Sequence, residues 1–324
     1  MISLSIDHSA DAGQRLDKFV RKYLPNAPLG AIFKMLRTGK IKVGWKKRDQ
    51  TYKLEIWDEV TFWLTDSELE QMKWDTKSSA MPIEKLVLKT SNPLEILFED
   101  EYLMVINKPA NINVHPGDHK TTELSVIDLV QDYLKGDYDS LTFRPALVHR
   151  IDRDTSWCLL IAKDKWALEF LLRDLQSHTM EKVYHAVVVG EIAKTQDTIR
   201  AKLLRIENAK NEAKVRVDEE GQSAITHYRV LKKKWDIQKL TLVECRIETG
   251  RTHQIRVHMA FLGNPILGDK AYGNKSVNSY AKRNFNLSRQ MLHARCLSFV
   301  HPKTLKKMMI EAPYPPDFLQ VFPL

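Results

Sequence analysis

Two dense clusters of charged and polar side chains mark where this 324-residue chain could carry out chemistry. The first, His149-Arg-Ile-Asp-Arg-Asp-Thr-Ser156, is followed at once by an apolar run over 158–162. A carboxylate between arginines at the mouth of a buried strand would be held ionised by opposite charge, as a nucleophilic carboxylate requires. The second, Thr249-Gly-Arg-Thr-His-Gln-Ile-Arg-Val-His258, contains no acid and suits phosphate or base recognition. From these residues alone, a structural ion pair at a strand end is the competing interpretation.

Other kinds of chemistry lack their sequence motifs. No Gly-x-Gly-x-x-Gly, phosphate-loop Gly-Lys-Ser/Thr or His-Glu-x-x-His is present, so we expect no organic cofactor and no metal. A spacing of five does not put His253 and His258 on one helix face, and no cysteine lies nearby. The three widely separated cysteines suit a reducing compartment, and no secretory signal or membrane-spanning run is visible. We therefore expect a cytoplasmic protein without a membrane partner.

The elements that must position the two clusters alternate without a regular βαβ order. Short β-rich runs are predicted over 94–98, 103–106, 158–162, 184–189 and 240–247, and helices over 124–134 and 165–175. This mixture predicts an α+β fold for the larger part of the chain.

The net charge of +9 is concentrated near the N-terminus. Nine basic residues and no acidic residue lie from Arg21 to Arg48. Apolar spacings of three and four predict two amphipathic helices, around 16–24 and 32–36, and alternation predicts strands at 41–43 and 52–56. The basic polar faces suit a polyanion bound in a salt-dependent manner, with a solvated face and no partner as the alternative.

Hydrophobic periodicity is lost from Asp75 to Pro93, which indicates a boundary between domains. We predict a small domain over 1–75, a linker over 76–93 and a larger domain over 94–324.

The small domain resembles the RNA-binding domain shared with the fourth protein of the small ribosomal subunit. The similarity covers 13–19, 36–43 and 52–60. It implies a small α/β domain whose second helix and following turn face RNA, which makes Lys34, Arg37, Lys40 and Lys42 candidate contacts. The family's usual Asn-Gly after Val43 is Gly44-Trp45 in this chain.

The larger domain resembles the RluA-type family of pseudouridine synthases. This resemblance implies the pseudouridine synthase fold, a mixed and mainly antiparallel central sheet with flanking helices and loops. It also implies isomerisation of uridine to pseudouridine in RNA, with no cofactor or metal. The matching motifs occur in the family's order: Asn107-Lys-Pro109 with Val114-His-Pro-Gly117, His149 to Ser156, Lys182-Val-Tyr-His-Ala186, Gly250 to His258, Gly263 to Gly273, and Leu292-His-Ala294 running to Phe299-Val-His-Pro302.

The resemblance assigns roles to single residues. Asp152 corresponds to the catalytic aspartate, Tyr184 to the tyrosine that stacks on the target base, and Arg256 to the arginine that pairs with the aspartate. Arg150 corresponds to the residue that fills the space left by the flipped uridine. The predicted RNA contacts of this domain also include His149, Arg251, His253, Gln254 and Lys108.

The chemical step is open at this level. Asp152 could attack the anomeric carbon, add to the uracil ring, or act as a base on the ribose, while Asp154 is interpreted as structural.

Two positions depart from the family pattern. Asn111 replaces a usual Gly and tolerates a left-handed conformation. Trp157 also replaces a Gly, and either fills core space with an ordinary φ or touches RNA.

The appended RNA-binding domain favours large-subunit ribosomal RNA as substrate over transfer RNA, and we expect a monomer. One alternative is an inactive RNA-binding or ribosome assembly factor, motivated by Trp157. Another is a metal-dependent nuclease using Asp152, Asp154 and Asp164, which the neighbouring arginines disfavour.

Overall fold

Two separate β-sheets organise the chain in the computed structural model, which describes residues 1–73, 94–116, 124–134, 140–207, 213–235 and 239–324. The strands are β1 (Ile2–Ser5), β2 (Ile41–Val43), β3 (Glu59–Phe62), β4 (Glu95–Glu99), β5 (Leu103–Lys108), β6 (Ala146–Leu147), β7 (Ser156–Ala162), β8 (Glu181–Val189), β9 (Gln196–Glu207), β10 (Ala213–Val217), β11 (Gln222–Trp235), β12 (Lys239–Ile247), β13 (Leu292–Val300) and β14 (Lys307–Glu311). The helices are α1 (Leu16–Tyr23), α2 (Leu29–Thr38), α3 (Asp66–Met72), α4 (Val126–Tyr133), α5 (Lys165–Gln176), α6 (Gln254–Phe261), α7 (Lys275–Phe285) and α8 (Pro316–Val321).

The N-terminal sheet has three antiparallel strands in the order β1-β3-β2, and one of its faces is covered by α1 and α2. The apolar stripes of these helices, including Phe19 and Ile32, are fully buried against Val43 and Phe62 of the sheet. The two predicted amphipathic helices and the strand at 41–43 are therefore confirmed.

The strand predicted over 52–56 is wrong, because this sheet is completed by β1 and β3. The backbone of this segment bonds instead to residues at the start of α1 and just before it. The carbonyl of Tyr52 accepts the N–H of Leu16 at 2.8 Å, and the N–H of Leu54 donates to the carbonyl of Gln14 at 3.0 Å. Trp57, with φ of 71°, then turns the chain into β3. The apolar alternation reflects burial of an irregular segment, with Leu54 1% exposed.

The larger sheet has eleven strands, with a main path of β10-β9-β11-β12-β8-β13-β7-β5-β4. β14 pairs with β13, and β6 pairs with β7. All pairings are antiparallel except β13 with β7, so the predicted mixed and mainly antiparallel sheet is confirmed. The five predicted strands and the two predicted helices, α4 and α5, are all present.

The long strands β9 and β11 were not predicted. They lie toward one end of the sheet and carry many charged side chains on exposed positions, so no continuous apolar run marks them. In β9 only isolated residues such as Ile199 and Leu203 are buried.

Both departures from the family pattern fit the backbone. Asn111 has φ of 70°, which confirms the predicted left-handed conformation. Trp157 lies within β7, in register with Lys108 of β5 and Ala294 of β13, so its backbone is extended as expected for an ordinary φ. The side chain of Trp157 and the predicted linker over 76–93 lie outside the described residues.

The N-terminal unit contacts the larger one through Asp11. This carboxylate is 1% exposed and accepts hydrogen bonds from the backbone N–H groups of Leu141 at 2.7 Å and Thr142 at 2.9 Å. Leu141 also packs against the core of the N-terminal unit. As for the membrane, no helix in the described part of the chain has the length and apolarity needed to cross a bilayer.

Candidate active site

A cleft of about 470 Å³ lies on the larger unit and collects most of the predicted site residues. Its size is in the range of small-ligand pockets. Side chains from the loop before β7, from β8 and from the start of α6 line it together. The predicted residues that it brings together are His149, Arg150, Asp152, Tyr184, Arg251, His253, Gln254 and Arg256.

Asp152 lies in the loop between β6 and β7, where its carboxylate is oriented by one arginine. Arg256 Nη1 donates a hydrogen bond to Asp152 Oδ2 at 2.9 Å, and His253 Nε2 lies 3.9 Å from the same oxygen. The Asp152 side chain is 25% exposed, whereas that of Arg256 is 9% exposed. Among the described residues, Asp152 Oδ1 accepts no hydrogen bond.

Arg256 is itself held by a second, buried carboxylate that was not predicted. On the first turn of α6, its Nε and Nη2 donate to Asp269 Oδ2 at 2.7 Å and Oδ1 at 3.0 Å, a bidentate pair. Burial alone would lower the pKa of Arg256, but the hydrogen bonds and charge of Asp269, followed by those of Asp152, raise it above its usual value. Arg256 is thus a permanent cation whose direction is set by Asp269.

Asp269 is fixed by the turn that follows it. Its Oδ1 accepts the backbone N–H groups of Ala271 at 2.9 Å and Tyr272 at 3.0 Å, and its side chain is fully buried. Burial raises the pKa of Asp269, but the hydrogen bonds and charge of Arg256 outweigh this and lower it overall. The sequence signal for this role was weak, because Asp269 stands in a motif of small and apolar residues with no cation beside it except Lys270.

Tyr184 and Lys182 form another part of the cleft wall. Tyr184 lies in β8, between β12 and β13, and is 7% exposed. Burial, followed by the negative charge of Asp152, raises the pKa of Tyr184, so the phenol stays neutral. Lys182, two residues earlier on the same strand face, also lines the cleft, and burial lowers its pKa. Lys182 was not predicted, although its spacing of two from Tyr184 was the available signal.

His253 and Tyr272 support the arginine from the other side. His253 precedes α6 with a left-handed φ of 55°, and its Nδ1 lies 2.8 Å from the hydroxyl of Tyr272. The guanidinium of Arg256 lies 5.2 Å from the centre of the Tyr272 ring. Tyr272 thus contacts both Arg256 and His253 beside Asp152. The remaining cationic residues, Arg150 and Arg251, are exposed at the cleft.

Lys108, a predicted RNA contact, lies in the protein interior in this structure. This side chain is fully buried, and its Nζ donates to the carbonyls of Pro109 at 2.7 Å, Arg153 at 2.8 Å and Ile112 at 3.0 Å. Burial lowers the pKa of Lys108 to about 7. Lys108 therefore ties the loop after β5 to the loop that carries Asp152, and it is not placed to touch a ligand.

Gln254 lines the cleft, but its side chain is also engaged within the protein, and its predicted RNA contact stays a prediction. It is 3% exposed, and its amide donates to the Ile225 carbonyl and the Thr226 hydroxyl and accepts from the Thr249 hydroxyl. His149 Nε2 accepts the backbone N–H of Leu160 at 3.3 Å, which favours a loop-organising role for that ring.

The four candidate RNA contacts of the N-terminal unit fall on two surfaces. Lys34 and Arg37 of α2 line an open groove together with Lys47 and Arg48. Lys40 and Lys42 lie at β2, on the side of the small sheet opposite the helices.

The carboxylates proposed for a metal-dependent nuclease do not converge. Asp164 caps α5, accepting the backbone N–H groups of Trp166 at 2.7 Å and Ala167 at 3.3 Å. Within the described ranges, no group of three or more histidine, cysteine or acidic side chains is arranged to hold a metal ion.

Buried neutral histidines predict an acid-sensitive fold. Burial lowers the pKa of His149 to about 3 and those of His185, His258 and His293 to about 4. Between about pH 6.5 and these lowered pKa values, the unfolded chain binds more protons than the folded chain does. The free energy of unfolding therefore falls as the pH falls. We expect a loss of about 1–2 kcal/mol per buried histidine between pH 6.5 and about pH 5. Urea unfolding at the two pH values measures it.

A matched pair of variants separates this effect from other titrations. His293→Gln removes one buried histidine, so the loss of unfolding free energy between the two pH values should be smaller by the amount expected for one histidine. His178→Gln, at an exposed position, should leave that loss unchanged. Equal stability of the wild-type protein at both pH values would contradict the prediction.

Comparison with known proteins identifies the family of this chain. Residues 102–261 match the family model described as RNA pseudouridylate synthase. The ribosomal large subunit pseudouridine synthase C of Vibrio cholerae is 36% identical over 309 residues, covering 93% of this chain and 90% of that relative. An uncharacterized RNA pseudouridine synthase of Bacillus subtilis, YlyB, is 34% identical over 308 residues, covering 95% of this chain and 93% of that relative.

A solved structure agrees with these sequence comparisons. Human RNA pseudouridylate synthase domain containing 1 superposes with a TM-score of 0.54 at 26% identity, covering 69% of this chain and 86% of that chain. The two bacterial relatives span nearly the full length of this chain. The chain therefore belongs to the RNA pseudouridylate synthase family.

Proposed function

We propose that this enzyme isomerises specific uridines of large-subunit ribosomal RNA to pseudouridine, with Asp152 as the catalytic carboxylate. The observation that carries the proposal is the pairing of Asp152 Oδ2 with Arg256 at 2.9 Å in the cleft that also contains Tyr184. The name of the Vibrio cholerae relative, which specifies the large ribosomal subunit, supports the choice of RNA. We expect a monomer that acts in the cytoplasm, where ribosomal RNA is assembled.

The reaction requires the uridine to leave its base stack before its glycosidic bond can be reached. In our proposal Arg150, exposed beside the cleft, occupies the vacated position in the RNA. The Tyr184 ring then stacks on the uracil, an interaction worth about 1–3 kcal/mol per base. Because Tyr184 stays protonated, it offers a neutral surface that does not repel the carboxylate.

Asp152 acts through the oxygen that faces the cleft. Arg256 holds Oδ2, so Oδ1 is presented to the ribose and the uracil. The bond from the anomeric carbon to the ring nitrogen breaks, the uracil turns, and a bond from the anomeric carbon to a ring carbon forms. That ring carbon loses its hydrogen to solvent as a proton, and the freed ring nitrogen takes up a proton. Reactant and product are isomers, so the step needs no oxidant, reductant or group donor. Arg256 and Asp269 keep the carboxylate in place while the uracil is detached.

Isotope release combined with RNA mapping tests this function. Purified protein should release tritium from carbon five of uridine in large-subunit ribosomal RNA transcripts. Ribosomal RNA from a strain lacking the protein should lose specific pseudouridines that return with the intact gene. Loss from transfer RNA only would contradict the ribosomal substrate, and no release from any RNA would leave a binding or assembly function instead.

We further propose that the groove beside α2 docks the RNA through its phosphates. Replacing Lys34 and Arg37 together with alanine should weaken RNA binding and reduce the slope of log affinity against log salt by about 1 per cation. Filter-binding titrations over a salt series measure both quantities.

The control for this double variant is Lys194→Ala. Lys194 is exposed but lies outside the groove beside α2, so its removal should leave the slope unchanged. An unchanged slope in the Lys34 and Arg37 double variant would rule out the groove as a phosphate contact.

A further inference from the structure

The face of the small sheet opposite its helices carries tryptophans and lysines around the buried Thr61. The helices cover the side formed by Ile41, Val43, Val60 and Phe62. On the opposite side, which we call the open sheet face, stand Ser3, Lys40, Lys42 and Trp63, joined by Trp45 from the turn after β2. This face is distinct from the groove beside α2.

Trp45 occupies a backbone position that disfavours it. Residues 43–46 form a two-residue hairpin turn, in which the N–H of Val43 donates to the carbonyl of Lys46 at 2.9 Å and the N–H of Lys46 to the carbonyl of Val43 at 3.0 Å. Both central residues have positive φ, 55° at Gly44 and 64° at Trp45, as in a type I′ turn that favours Asn-Gly. A left-handed tryptophan costs roughly 1–2 kcal/mol in backbone strain, so turn geometry does not account for this residue.

Burial does not account for Trp45 either. It is 57% exposed, and its ring meets that of Trp63, which is 44% exposed, edge to face at 6.3 Å between centroids. Lys42 Nζ lies 5.6 Å from the centre of the Trp63 ring. Two large aromatic surfaces are thus held in a fixed geometry, in solvent, next to a cation. Of the acids near this face, Glu68 is paired with Lys40 at 3.7 Å and Glu59 accepts from the Ser3 hydroxyl at 2.6 Å.

We propose that the open sheet face binds unpaired nucleotides of the RNA, with Trp45 and Trp63 stacking on bases and Lys42 contacting the backbone phosphates. Aromatic side chains on an open sheet are a general means of stacking single-stranded bases. The positive charge of the segment that contains β2 favours RNA over an uncharged protein surface as the occupant. The proposal rests on the proposed function for its ligand class, and it adds that the docked RNA includes a single-stranded segment.

Binding of two RNA probes by the full-length protein tests the proposal. The probes are a fluorescently labelled oligouridylate and a blunt-ended RNA duplex, followed by fluorescence anisotropy. Combining Trp45→Gly with Trp63→Ala should weaken oligouridylate binding by about tenfold or more, because each stacked base contributes about 1–3 kcal/mol. Duplex affinity and the salt slope for oligouridylate should not change, since a duplex exposes no base faces and no phosphate contact is removed.

The turn itself supplies the folding control. Glycine is favoured at the second central position of a type I′ turn, so Trp45→Gly alone should unfold at the same or a higher urea concentration than the wild type. Trp57→Gly is the matched control, because Trp57 is 76% exposed and left-handed, with φ of 71°, but belongs to another turn. It should bind oligouridylate as the wild type does.

Unchanged oligouridylate affinity in the double variant would overturn the proposal and leave the open sheet face to a protein partner. An equal loss in Trp57→Gly would also overturn it, because the effect would not belong to the tryptophan pair. Pseudouridine formation by the wild-type protein is measured separately, and its absence would contradict the proposed function whatever the tryptophans do.

Discussion

Asp152→Asn should abolish pseudouridine formation, lowering the rate by a factor on the order of 10³ or more. Each of the three routes open to Asp152 requires an ionised oxygen, and an amide supplies neither a nucleophile nor a base of comparable strength. RNA affinity should change little, because the amide is nearly isosteric and the cationic side chains remain. Single-turnover tritium release at saturating enzyme measures the chemical step apart from binding.

Asp154→Asn is the matched control for this experiment. It changes the other carboxylate of the same motif, two residues from the one that Arg256 holds. We expect its rate to stay within a few-fold of the wild-type rate. If the two variants exchanged these behaviours, the assignment of the catalytic carboxylate would be reversed, and full activity in Asp152→Asn would remove Asp152 from the mechanism.

Asp269→Ala should destabilise the fold by about 3–5 kcal/mol, since it leaves the buried guanidinium of Arg256 without its bidentate partner. The Asp269 side chain is fully buried, so water does not replace the lost carboxylate easily. Urea unfolding at neutral pH measures the change in the free energy of unfolding.

Asp152→Ala is the control for stability, because it removes the other carboxylate bound to the same arginine. Asp152 is 25% exposed, and Arg256 keeps Asp269, so we expect a change in the free energy of unfolding below about 1 kcal/mol. The two variants should therefore differ in effect, because Asp152 is needed for activity and Asp269 for stability. Equal destabilisation in both variants would show that the arginine depends on the two carboxylates alike.

Much of the architecture was predictable from local patterns. The stripes of α1 and α2, the apolar strands β5, β7, β8 and β12, and the helix α5 repeat at the periods of their elements. Apolar periodicity predicts an element when one face of it is buried, and this condition holds for each of them. β9 and β11 escaped prediction because their solvent-facing side is charged, and the segment 52–56 was misassigned because a buried irregular segment can also alternate.

The candidate site divides in the same way. Asp152, Tyr184 and Arg256 could be named from ordered motifs and from the chemistry of a carboxylate near cations, and the fold brings all three into one cleft. Lys108 and Gln254 are polar residues in the same motifs, yet their polar atoms are used up by backbone and side-chain partners. Residue type alone did not distinguish a group that faces a ligand from one that satisfies a buried carbonyl.

The sequence by itself determined the family, the α+β class and the basic N-terminal segment, and it proposed Asp152 as the catalytic carboxylate. Only the tertiary structure decided that Asp269 orients Arg256, that Lys108 is an internal tie, and that Trp45 meets Trp63 on an open sheet face. The physical reason is the distance along the chain between the residues that interact. Periodicity and motif chemistry depend on neighbours along the chain, whereas burial, bidentate pairing and ring contacts depend on residues that strand register and helix packing bring together.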